Sequence, residues 1–87
     1  MENKILQDLN KKGTFYIFNA ILSCVNKRLI SQKISDKLTD LKKDDREIAG
    51  YKISEYSAAA LDILELHKYD GKDENIQFLI KTQLKFN

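Results

Sequence analysis

Across 87 residues the chain has no proline. Proline costs a helix interior about 3 kcal/mol and punctuates many turns and strand edges. A chain without it, and with only three glycines, is expected to be helical wherever its apolar residues recur at helical spacing. The length allows one domain, residues 1–87. A chain this short buries only about 60–65% of its unfolded surface, so one modest core must stabilise it. Apolar residues at 43% and charged residues at 32% argue against wholesale disorder.

The periodicity predicts about five short helices. Ile5, Leu6 and Leu9 share a face of a first helix, Glu2 to Leu9, which Lys11, Lys12 and Gly13 end. Thr14 is the expected cap of a second helix, Phe15 to Val25. That helix is apolar on more than one side, which places it at the centre of a bundle. A strand over Thr14 to Phe18 competes, because Thr, Phe, Tyr and Ile suit strands. Ser31 caps a third helix to about Lys43, with Ile34, Leu38 and Leu41 as a narrow apolar stripe. Asp44 to Lys52 is irregular, with room for one helical turn and with Ile48 and Tyr51 as anchors. A fourth helix, Ile53 to Leu66, carries Ala58, Ala59 and Ala60, which let a neighbour approach closely. His67 to Lys72 is a turn. Asp73 caps a last helix, Glu74 to Lys85, whose apolar face is Ile76, Leu79, Ile80 and Leu84. The expected fold is all-α, a compact antiparallel bundle.

Several function classes lack their residues. The longest apolar run, Phe15 to Val25, is broken by Asn19 and Ser23 and is shorter than the roughly 20 residues that cross a bilayer, so no membrane partner is expected. Met1 to Asp8 mixes charges with single apolar residues, so no secretory signal is expected. The one cysteine fits a reducing, cytoplasmic compartment. Cys24 sits in the most apolar segment and reads as core, not nucleophile. His67, the only histidine, has no partner in sequence that would make it a catalytic base. One Cys and one His leave a zinc site short of ligands, and Asp70 to Glu74 lacks the alternating ligands of a calcium loop. There is no glycine-rich phosphate loop, and no cofactor is expected.

The net charge of +2 is unevenly distributed. Residues 1–43 hold nine Lys/Arg against four acids, a local charge of +5. Residues 44–74 hold nine acids against four Lys/Arg, a local charge of −5. The acidic stretch contains Tyr51, Tyr56 and Tyr69; Tyr56 is expected in the core. Tyrosines supply contact area with a polar tip, and carboxylates pair with basic partners. The candidate partner-binding residues are therefore Asp44, Asp45, Glu47, Tyr51, Glu55, Asp62, Glu65, Tyr69 and Asp70. Glu55, Asp62 and Glu65 are expected to share an outward face of the fourth helix. Its acids oppose a duplex, so direct nucleic-acid binding is not expected.

Two resemblances add to this. Ile53, Ala60 and Leu61 fall where the second helix of a HEAT repeat carries an aliphatic residue and Ala-Leu, while Ser54 and Ser57 replace its Arg and first Ala. This implies a HEAT-like helical hairpin formed by the third and fourth helices, as one unit and not a solenoid. The stretch from Asp44 to Gly71, DDREIAGYKISEYSAAALDILELHKYDG, resembles segments of small immunity proteins of bacterial contact-dependent inhibition systems. That resemblance implies a cytoplasmic, non-catalytic helical protein that binds and neutralises a cognate toxin. A basic nuclease domain, masked at its active or substrate-binding surface, is the partner expected for the acidic face. The alternatives are a nucleic-acid-binding regulator and a phage-type inhibitor of a host defence protein.

Overall fold

The computed structural model describes residues 2–85. Among them are five helices and one small sheet: α1 (Glu2–Leu9), α2 (Thr14–Asn26), α3 (Gln32–Leu41), β1 (Glu47–Ile48), β2 (Tyr51–Lys52), α4 (Ile53–Ile63) and α5 (Glu74–Lys81). The architecture is an all-α bundle, as the periodicity predicts. The strand alternative for Thr14 to Phe18 does not form.

The centre of the bundle is α4, not α2. α4 packs against α2, α3 and α5, and every residue from Glu55 to Leu61 is buried. Small side chains explain this: Ser57, Ala58, Ala59 and Ala60 let three neighbours close in on one axis. α2 buries Ile17, Ala20, Ile21, Cys24 and Val25, but Phe15 and Tyr16 stay exposed and Phe18 is only half-buried. Its apolar content exceeds what the bundle covers.

α3 and α4 pack on each other as the HEAT-like resemblance implies, yet the link between them is not a plain turn. In place of the expected helical turn, β1 and β2 pair antiparallel, with Glu47 opposite Lys52 and Ile48 opposite Tyr51. The two-residue connection has φ of 52° at Ala49 and 91° at Gly50, the pair of positive values that a type I′ hairpin turn requires. The hairpin caps α4 through its backbone: Ile53 N–H donates to the Arg46 carbonyl and Ser54 N–H to the Asp44 carbonyl, both at 2.8 Å. The Tyr56 hydroxyl, from the helix, reaches the Ile48 and Ala49 carbonyls at 2.8 and 3.0 Å. The Tyr56 ring meets Phe18 at 4.8 Å and Tyr51 at 5.7 Å between centroids.

The helix ends also differ from expectation. Ser31 and Asp73 cap α3 and α5 through their side chains. Thr14 lies inside α2, and Gly13 holds the cap position without a side chain to offer. Lys52, the residue before Ile53, holds the cap position of α4, and its N–H donates to Glu55 Oε1 at 2.8 Å. α2, α4 and α5 end in the same way. Arg28, Glu65 and Gln83 adopt φ of 49°, 60° and 59°. Leu29, Leu66 and Leu84 then donate back to the carbonyls of Cys24, Leu61 and Leu79. These are Schellman motifs built without glycine, each with a leucine at the position that packs back on the helix.

Candidate functional site

The hydrogen bonds sort the nine candidate residues into two groups. Glu55 is buried at 8% exposure and has both oxygens engaged, Oε1 by Lys52 N–H and Oε2 by the Asn75 amide at 3.0 Å. It fastens α5 to the start of α4 and is not available to a partner. Asp44 is spent on Arg46, whose guanidinium grips it at 2.6 Å while Arg46 N–H also donates to it. That neighbour holds the Asp44 carboxyl below the usual carboxylate range. Tyr51 packs its ring on Tyr56 in the core's margin. Asp62 accepts the Tyr69 N–H at 2.8 Å. The expected shared outward face of Glu55, Asp62 and Glu65 is therefore not formed, and Glu65 lies beyond the last helical residue, Ile63.

The other group stays outward. Asp45, Glu47, Glu65 and Asp70 are exposed. Among the described residues their side chains make no hydrogen bond or ion pair. Glu65 and Asp70 stand on the connection from α4 to α5, residues 64–73, which is braced from within. Besides the Asp62–Tyr69 bond, the Tyr69 hydroxyl accepts from Asp73 N–H at 3.0 Å. Asp73 in turn accepts from Asn75 and Ile76, and the Gln77 amide donates to the Gly71 carbonyl at 3.1 Å. Tyr69 lies directly over Gly71, so a Cβ there would push the Tyr69 ring aside.

Two concavities flank this loop. One, of about 320 Å³, lies between the end of α3, the start of α4 and the loop. Lys42, Asp45, Lys52, Glu55, His67, Lys68, Tyr69 and Asp70 are among its walls. The other, of about 540 Å³, lies where α2, α4 and α5 end, and is lined by Arg28, Asp62, Ile63, Glu65, Lys68 and Gln83. Arg28 reaches across it to the Ile63 carbonyl at 3.4 Å. Asp45, Glu55, Tyr69 and Asp70 thus share one wall set, and Asp62 and Glu65 the other, with Lys68 common to both. Asp44, Glu47 and Tyr51 belong to neither. The net acidity of residues 44–74 does not give these walls one sign, because Lys42, Lys52, Lys68 and Arg28 are interleaved with the carboxylates.

Cys24 has no exposed surface, and burial pushes its thiol up to about 11, the opposite of what activates a nucleophile. Among the described residues no group of three or more His, Cys, Asp or Glu is placed to hold a metal ion. None of the described helices is long and apolar enough to cross a membrane. Compared with known proteins, the chain matches no family model, no curated protein and no solved structure.

Proposed function

We propose that this chain is a non-catalytic binding protein that neutralises a cognate bacterial toxin, a basic nuclease domain, with residues 64–73 at the centre of its recognition surface. One observation carries the choice of surface. Asp62, Tyr69 and Asp73 hold this loop from inside, while the Glu65 and Asp70 side chains make no hydrogen bond among the described residues. A loop ordered before binding loses little entropy on docking, so its outward charges act at full effect. The interleaved lysines make the surface a pattern of both signs. Such a pattern sets register and excludes wrong partners more than it adds bulk attraction. The toxin as partner comes from the resemblance of residues 44–71 to immunity proteins.

The test is co-expression with the product of the adjacent reading frame as candidate toxin, comparing the parent with the Glu65→Lys/Asp70→Lys double variant. The parent protects the cells. The variant folds as the parent does but loses protection, and its association rate at low salt falls about tenfold or more. Equal protection by both would remove the loop from the recognition surface. Failure of the parent to bind the toxin would remove the toxin reading itself.

A further inference from the structure

We infer that the outward face of α2 binds single-stranded nucleic acid, with Phe15 and Tyr16 as the stacking platform. This is a second surface, on a different element from the 64–73 loop. Phe15 and Tyr16 are 65% and 51% exposed, two of the four exposed large hydrophobic residues among those described. Their rings lie 6.3 Å apart at 75°. Phe15, Asn19, Leu22 and Asn26 follow one another along one helix face; Leu22 is half-buried, the others exposed.

The segment that carries this face is basic in sequence, and Asp8 is the acid that reaches it, through Lys11. From Leu9 to Ser35 the chain has five Lys/Arg and no acid. Lys11 and Lys12 precede α2, and Lys27 is its C-cap residue. Lys12 and Lys27 are exposed and form no ion pair among the described residues. Lys11 sits over the Tyr16 ring, 4.3 Å from its centroid, and also pairs with Asp8. Cations therefore stand at both ends of a helix about 20 Å long, with flat rings beside the first pair. Phosphates meet the lysines while a base stacks on Phe15, whose π-face accepts any base. A lipid surface fits less well, because Asn19 and Asn26 interrupt the apolar stripe that insertion needs. A duplex fits less well, because its stacked bases are closed to a ring.

The chain has no tryptophan, so Phe15→Trp supplies a unique fluorescent reporter. Titration with 12-residue oligouridylate and oligothymidylate is expected to quench it, saturating in the micromolar range at low salt. The two strands separate RNA from DNA as the source of the shared chemistry. By anisotropy, Phe15→Leu, which keeps an apolar side chain but no ring, is expected to weaken binding at least tenfold. Phe78→Ala, which removes an exposed ring on α5, leaves binding unchanged. Lys12→Gln and Lys27→Gln each lower the salt slope by about 0.7. All these positions are exposed, so unchanged thermal unfolding serves as the folding control. The inference is overturned by any of four results: no saturable binding by the parent, equal binding by Phe15→Leu, displacement by polyglutamate as readily as by oligonucleotide, or binding to vesicles of phosphatidylserine in phosphatidylcholine without binding to either strand.

Discussion

In the middle of the core the Ser57 hydroxyl has no hydrogen-bond partner among the described residues. A buried, unsatisfied hydroxyl costs about 1–3 kcal/mol. Ser57→Ala, which also restores the alanine of the HEAT-like spacing, is expected to raise the urea midpoint by roughly 1 kcal/mol equivalent; a loss of stability would show that the hydroxyl is satisfied. Two other buried groups set the alkaline limit. Burial holds the Tyr56 hydroxyl up at about 12 and the Cys24 thiol up at about 11. Both folded values are raised, so their contribution is complete below the unfolded values and is lost as pH rises through the folded ones. Stability is expected to fall between about pH 9 and 12, and less steeply in Tyr56→Phe, which also loses its bonds to the hairpin. Residue burial was legible for Cys24, which sits in the most apolar segment of the chain. It was not legible for Phe15 and Phe18, because composition gives the apolar faces of a helix but not how many neighbours will cover them.

The helix ends and the hairpin use left-handed residues that are not glycine. Ala49 at φ 52° occupies a position that asparagine fills with less strain, and Asn-Gly is the favoured pair for this turn. Ala49→Asn is expected to stabilise the protein by about 0.5–1 kcal/mol in chemical denaturation. Gln83→Gly, at φ 59°, is expected to gain a similar amount, less what the Gln83 amide contributes through its bond to the Ile80 carbonyl at 3.1 Å. A loss at both sites would contradict the backbone described here. These same residues explain why helix existence was legible while the stops were not. α4 was expected to reach Leu66 and α5 Lys85; they end at Ile63 and Lys81. The usual stop signal, glycine, is absent, and the signal present is the leucine at 29, 66 and 84. The hairpin escaped notice because a strand pair of two residues each has too little alternation to register, and Ala-Gly is a weak turn signature.

At the scale of the whole molecule, the linear charge asymmetry becomes a sorting of carboxylates. Four of the residues singled out from sequence, Asp62, Glu65, Tyr69 and Asp70, lie in or beside the 64–73 loop. Sequence could not separate bracing from outward-facing acids, because that depends on where the Tyr69 amide, the Asn75 amide and Arg46 come to lie in the fold. Equilibrium urea denaturation of two single variants tells the two kinds of acid apart. Asp62→Ala strands the Tyr69 N–H and is expected to cost about 1–3 kcal/mol. Asp70→Ala, on the same loop, is expected to stay within about 0.5 kcal/mol of the parent. Equal losses in the two variants, or a larger loss in Asp70→Ala, would contradict the division between acids that hold the loop and acids that the loop presents.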